Sequence, residues 1–151
     1  MKRLFFILAL VLSAITAYAQ TTEGTEFWFG YMENLTNGET VTLELYLSAK
    51  TEANVEVVAQ GFNDQFTIQP GNTVRVVLPI SLMATGEGSS NKAVQVRSDE
   101  PISAYQLNKR RFSADAAVLI PVSALGREYY ITAHWESPTS NPETPGFSEA
   151  M

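Results

Sequence analysis

The sequence predicts an all-β fold, an antiparallel β-sandwich-like domain of about nine short strands. Three observations predict it. Apolar and polar residues alternate through much of the chain, turn-forming residues recur every ~10–12 residues, and helical periodicity is nearly absent. Part of a larger two-repeat or propeller-like β domain is the alternative architecture.

The clearest strand lies in the stretch "TVTLELYLS" at residues 40–48. Its valine and leucines alternate with polar residues or tyrosine, so one side of the strand is apolar. An Asn-Gly pair precedes it at residues 37–38 and predicts a turn. The aromatic-rich stretch "EFWFGYMENL" at residues 26–35 suits a strand buried on at least one side.

The same alternation predicts the remaining strands and the connections between them. The strands are expected at residues 54–60, 66–68, 74–78, 93–97, 102–107, 116–121 and 129–135. The reversals are expected at Gly61-Phe62-Asn63-Asp64, at Pro70-Gly71-Asn72, and as a bend at Asp99-Glu100-Pro101. Pro79 should end the fifth strand, and single helical turns are predicted after Pro79 and after Pro121.

Both ends of the chain differ in character from this β-rich part. Lys2 and Arg3 precede an apolar run, and Ala17-Tyr18-Ala19 follows as a small-x-small site, which is the pattern of a secretory signal peptide at residues 1–19. The β-rich domain then occupies residues 20–136. Residues 137–151 are rich in proline and serine and predict a linker, a truncated tail or a natural disordered tail.

Composition limits the functions that the chain can have. Hydrophobic residues make up 45% and charged residues 17%, as in a folded globular protein, and the net charge of −6 disfavours nucleic acid as a partner. Without cysteine there is no disulfide framework and no thiolate site. His134 is the only histidine and no G-x-S-x-G motif is present, so we expect no catalytic residues, no cofactor and no metal.

Three consecutive basic residues, Lys109, Arg110 and Arg111, are the candidate partner-binding residues. One interpretation is a charged strand end that discourages pairing with other chains and contacts Asp115 or Asp99. The other is a clamp for carboxylates or other anions of a partner, because arginine offers paired donors.

The stretch "SDEPISAYQLNKRRFSADAAVLIPVSALGREYYI" at residues 98–131 resembles the signature of the IgGFc-binding protein N-terminal domain family. The matching residues are Ser98, Pro101, Ile102, Tyr105, Asn108, Ser113, Asp115, Pro121, Leu125, Gly126, Glu128, Tyr129 and Tyr130. Ile120 stands where the family usually has leucine, and "GTEFWFGYMEN" and "FTIQPGNTVRVVLP" resemble its opening and its central hairpin.

The resemblance implies an extracellular, β-rich binding module, here a bacterial secreted or surface protein and a fragment covering the first half of the family domain. Within this resemblance Ile102 and Ala104 face one side of a strand and Ser103 and Tyr105 the other. Asn108 is expected to cap the following turn and Asp115 to tie it down.

We therefore predict a secreted or cell-surface binding or adhesion module without catalytic activity, whose ligand is an extracellular protein or glycan. The aromatic candidates for contact are Trp28, Phe29, Tyr31 and Tyr46, although most of them suit a core position equally well. The alternatives are an exported carbohydrate-binding or carbohydrate-processing protein, and a structural part of a larger surface assembly. No membrane span is expected after cleavage of the signal peptide.

Overall fold

The computed structural model of the protein describes residues 21–34, 40–86, 88–111 and 113–130. The predicted signal peptide, the Asn-Gly turn at residues 37–38, His134 and the proline-rich tail lie outside the described residues. So does most of the strand predicted at residues 129–135, and Tyr129 and Tyr130 are not part of a strand.

The described residues form an antiparallel sheet of seven strands, which confirms the predicted fold class. The strands are β1 (Glu23–Phe29), β2 (Thr42–Ala49), β3 (Ala53–Ala59), β4 (Phe62–Ile68), β5 (Thr73–Leu78), β6 (Val94–Lys109) and β7 (Ala114–Val118). The helical turns that were predicted after Pro79 and Pro121 are also present, as single 3-10 turns at Ile80–Leu82 and Val122–Ala124.

The sheet is organised around β6, which is 16 residues long. Its first half pairs with β3 and its second half with β2 and β7, whereas β1 pairs with β6 on both sides of its midpoint, from Val94 to Ser103. β4 adds to β3 and β5 adds to β2, always in antiparallel pairing. Two groups of strands therefore share β6, one containing β4, β3 and β1, the other containing β5, β2 and β7.

The separate strands predicted at residues 93–97 and 102–107 are one strand, so this part of the prediction is wrong. A β-bulge occurs where the bend at Asp99-Glu100-Pro101 was expected. Gly24 of β1 lies opposite Ile102 and Glu26 lies opposite Arg97, so β6 has extra residues between these two pairs. A bulge leaves residues without ladder partners and so accommodates a proline, which has no N–H to donate. Even-numbered residues face the core on both sides of the bulge, so β6 continues in phase.

The structure confirms one predicted reversal and shortens another. The reversal at Pro70-Gly71-Asn72 is confirmed, with Gly71 at a φ of 77° and the Asn72 N–H donating to the Gln69 carbonyl over 3.0 Å. The earlier reversal is tighter than predicted: it occurs at Gln60 and Gly61, where Gly61 has a φ of 73°. Phe62, Asn63 and Asp64 already belong to β4, an outer strand that tolerates polar residues.

The inward-facing side chains of both strand groups form one buried cluster. Leu43, Leu45 and Leu47 of β2 are fully buried, as their alternation predicts. Phe27, Val57 and Val96 from the other group are buried in the same cluster. In the described part of the chain no helix is long and apolar enough to cross a membrane.

Candidate functional site

A row of large side chains crosses the outer side of β5, β2, β6 and β7, away from the core. Tyr46 lies opposite Arg75 in β5 and opposite Tyr105 in β6, and Tyr105 lies opposite Val118 in β7. Residues directly opposite each other on one side of a sheet are in contact distance. Tyr105 is 43% exposed and Val118 is 46% exposed, so solvent reaches this row.

The neighbouring row extends the same surface. Glu44 of β2 lies opposite Val77 in β5 and opposite Leu107 in β6, and Val77 is 48% exposed. We call the apolar and aromatic members of both rows the apolar outer face: Tyr46, Val77, Tyr105, Leu107 and Val118. Each of them projects from a paired strand, so the surface is held by backbone hydrogen bonds and needs little ordering when a partner binds.

An ion pair lies in the middle of the apolar outer face. Arg75 donates from Nε and from its terminal nitrogen to the two oxygens of Glu44, over 2.8 and 2.6 Å. Tyr46 donates its hydroxyl to the same carboxylate over 2.5 Å. Glu44 is only 4% exposed, whereas about half of the Arg75 side chain is open to solvent. The carboxylate is therefore enclosed by its donors.

The hydrogen bonds to Glu44 determine its ionisation. The hydrogen bonds from Arg75 lower the pKa of Glu44 to about 2, although burial acts in the opposite direction. The hydrogen bond from the Tyr46 hydroxyl and the charge of Lys109 lower the pKa further. Glu44 is thus fully ionised at neutral pH. The negative charge is offset inside the surface, which leaves Lys109 as an exposed positive charge at its end.

The structure separates the three residues of the predicted basic run. Lys109 is the last residue of β6 and lies opposite Thr42 and Ala114, on the outer side. Arg110 and Arg111 lie in the turn that follows, which is closed by the Arg110 N–H donating to the Ser113 carbonyl over 2.8 Å. Lys109 therefore belongs to the edge of the apolar outer face, whereas the arginines lie in the turn beyond it.

Asn108 and Asp115 flank this turn from within the strands, as opposite residues of β6 and β7. Asn108 is 8% exposed and donates from Nδ2 to the Met32 carbonyl over 2.8 Å, and it accepts from Asn34 over 3.3 Å. It thereby anchors the segment after β1 to the end of β6. Asp115 is exposed, and its part in tying the turn stays a prediction.

Replacing Asn108 with alanine should lower the free energy of unfolding by about 1–2 kcal/mol, because it removes the buried donor to the Met32 carbonyl. Urea unfolding followed by fluorescence measures the change. Asn63→Ala is the matched control, since Asn63 is an exposed asparagine of β4 and its replacement should change stability by less than about 0.5 kcal/mol. Equal effects of the two replacements would refute the anchoring role.

The aromatic candidates divide between core and surface. Tyr31 is 1% exposed and donates its hydroxyl to the Glu44 carbonyl over 2.6 Å, and Phe29 packs edge-on against it, so both serve the core. Trp28 is 52% exposed and Tyr46 belongs to the apolar outer face. The predicted sides of Ile102, Ala104 and Tyr105 are confirmed, with the first two buried and the tyrosine exposed.

The Glu44–Arg75 pair was missed by the sequence analysis. Glu44 looks like an ordinary polar member of an alternating strand, and Arg75 lies in another strand whose register the sequence does not give. A usable indication did exist for the apolar outer face. Residues 102–107 carry apolar or aromatic side chains on both sides of the strand, which is typical of a strand covered on both sides.

Among the described residues, no group of three or more His, Cys, Asp or Glu is placed to hold a metal ion.

Comparison with known proteins gives one similarity of note. The chain is 31% identical over 85 residues to the IgGFc-binding protein of Homo sapiens. The aligned region covers 55% of this chain and 2% of the human protein. No family model and no solved structure matches the chain. The chain thus spans a very small part of the curated relative, and over that part the comparison supports a relation between the two proteins.

Proposed function

We propose that the chain is an extracellular binding module that docks a protein partner on its apolar outer face and has no catalytic function. The similarity to a protein that is named for binding the Fc part of immunoglobulin G supports a binding role. The proposed location is the secreted fraction or the outer cell surface, which the predicted signal peptide supports. Bacterial origin is part of the same proposal.

The observation that carries the proposal is the exposure of Tyr105 and its cross-strand neighbour Val118, which are 43% and 46% exposed, on the same side of the sheet as Val77, which is 48% exposed. Scattered apolar residues are ordinary on protein surfaces, but adjacent ones on a paired sheet mark an interaction site. Tyrosines are also enriched where proteins meet, since they bury much area and lose little conformational freedom.

The charges at this surface indicate the chemistry of the partner. Arg75 neutralises Glu44 and still exposes about half of its side chain, and Lys109 lies at the end of the same surface. The surface is therefore positive in a chain with a net charge of −6. A protein with an apolar patch bordered by carboxylates fits it. We propose that Lys109, with Arg110 and Arg111 in the adjacent turn, contacts those carboxylates.

Surface plasmon resonance against defined extracellular proteins tests the proposal, with human IgG Fc as the first probe because the relative's name supplies it. The doubly substituted Tyr105→Ser, Val118→Ser variant should bind at least about tenfold more weakly than the unsubstituted chain. Gln65→Ala, an exposed change in β4 on the other strand group, should bind normally.

Two results would contradict the proposal. One is a binding constant that is the same for the doubly substituted variant and the unsubstituted chain. The other is a dimer that sedimentation detects at higher concentrations of the unsubstituted chain but not of the doubly substituted variant. The apolar outer face would then bind a second copy of the chain and not another protein. Raising the salt concentration should weaken genuine binding, because the proposed carboxylate contacts are exposed.

A further inference from the structure

A polar groove of about 460 Å³ lies on the outer side of β4, β3 and β6, in the other strand group from the apolar outer face. The residues that matter for its chemistry are Asn54, Glu56, Gln65, Thr67, Arg97 and Asp99. We propose that this polar groove, with the neighbouring Trp28, binds a neutral oligosaccharide. The inference is independent of the proposed protein docking, since the two surfaces share no residue.

The side chains of the polar groove are held by one another before any ligand arrives. Asp99 accepts from the backbone N–H and from Nδ2 of Asn54, each over 2.7 Å, and Asn54 in turn accepts from the Thr67 hydroxyl over 2.9 Å. Gln65 donates to Glu56 over 2.8 Å. Because these side chains already hold one another in place, less conformational entropy is lost when a ligand binds. The carboxylates and amides keep further hydrogen-bonding sites that face solvent.

Trp28 provides the flat apolar element that a sugar ring requires. Its side chain is 52% exposed, and its indole Nε1–H donates to Glu26 over 3.0 Å. Glu26 lies opposite Arg97, a groove residue, whereas Trp28 itself lies opposite Gln95. The hydrogen bond therefore draws the indole along β1 toward the row that contains Arg97. An aromatic ring fixed in this way presents its face to the C–H groups of a pyranose.

The charges favour a neutral ligand over an anionic one. Glu26, Glu56 and Asp99 contribute three carboxylates to this surface, and Arg97, whose Nε lies 3.7 Å from Glu26, contributes one positive charge. Sialylated or sulfated glycans would be repelled. Sugar hydroxyls both donate and accept, so they match alternating amides and carboxylates. A cationic peptide is the competing ligand, and a lysine-rich peptide is therefore included among the probes.

The same contacts disfavour Asp99 and Glu26 as the general acid of a hydrolase. Glycoside hydrolysis requires one carboxyl group that stays protonated as the general acid. Hydrogen bonds from Asn54 hold the pKa of Asp99 below its usual range, and those from Gln95 and Trp28 do the same for the pKa of Glu26. Both carboxyl groups are therefore ionised at neutral pH and serve as hydrogen-bond acceptors.

Titration of the chain with four kinds of probe tests the proposal: chitohexaose and cellohexaose as neutral oligosaccharides, 3′-sialyllactose as an anionic one, and a lysine-rich octapeptide. In ¹H–¹⁵N NMR spectra a neutral oligosaccharide should shift the indole N–H resonance of Trp28. Trp28→Ala should weaken calorimetric binding by at least about tenfold. Tyr105→Ser, on the apolar outer face, should leave it unchanged.

Any of three results would overturn the inference. The first is the absence of binding by both neutral oligosaccharides. The second is binding only of the sialylated probe or only of the lysine-rich peptide. The third is a neutral ligand that binds Trp28→Ala as tightly as the unsubstituted chain. Because the NMR titration uses the unsubstituted chain, the inference stays testable even where Trp28→Ala lowers the Tm.

Discussion

Replacing Glu44 with alanine should lower the free energy of unfolding by about 2 kcal/mol, one of the largest effects expected for a polar residue of this protein. The change removes the acceptor of two hydrogen bonds from Arg75 and one from Tyr46 at a position that is 4% exposed. The loss stays below that of a fully buried pair because Arg75 is about half exposed, so water can solvate the released guanidinium.

The same residue should make stability depend on acidity. A carboxyl group whose pKa is lower in the folded chain than in the unfolded chain stabilises the fold above the unfolded value and loses that contribution as the pH falls. For Glu44 the window lies between its ordinary pKa of 4.5 and the folded value of about 2. The contribution of Glu44 to the free energy of unfolding should therefore be constant above about pH 5.5. It should fall by about 2 kcal/mol when the pH is lowered to about 2.5.

Urea unfolding at a series of pH values measures this dependence. Glu44→Gln is the control, since glutamine keeps the size of the side chain and does not titrate. Between pH 5 and pH 2.5 the unsubstituted chain should lose about 2 kcal/mol more than Glu44→Gln. Parallel curves for the two chains would show that Glu44 has an ordinary pKa and that its pairing with Arg75 contributes little.

The strands themselves were predictable because each is determined by its own residues. The alternation of Leu43, Leu45 and Leu47 with polar residues or tyrosine gave β2 and its buried side, and Gly71 gave the turn before β5. The joining of two predicted strands into β6 was not predictable in the same way. Asp99-Glu100-Pro101 reads locally as a turn, and only pairing with both β1 and β3 reveals it as a bulge within a continuous strand.

The surfaces were harder to predict because they depend on pairing between strands that are distant in sequence. Glu44 and Arg75 meet only because β2 pairs with β5 in one particular register, and a shift by one residue would turn Arg75 toward the core. Lys109 is the last residue of β6. Its relation to Tyr105 and Glu44 follows from the pairing of β6 with β2, which the sequence alone does not contain.

Replacing Gly24 with alanine should lower the free energy of unfolding by about 1–3 kcal/mol. Gly24 lies in β1 opposite the buried Ile102, and a methyl group added there would overlap Cβ of Pro121. Pro121 is itself fully buried and begins the segment that forms the 3-10 turn Val122–Ala124. Because the proline ring is rigid, the overlap can be relieved only when this turn moves away from β1.

Thermal and urea unfolding of Gly24→Ala and Gly30→Ala separate this packing effect from the general effect of losing a glycine. Gly30 has no atom within 4 Å of an added methyl group and no left-handed φ. Its replacement should therefore leave stability within about 0.5 kcal/mol or raise it slightly. The decisive comparison is Gly24→Ala in a Pro121→Gly background, which removes the Cβ that the new methyl would strike. Loss of the Gly24→Ala effect in that background would establish direct coupling between the two positions, and an undiminished effect would contradict the packing argument.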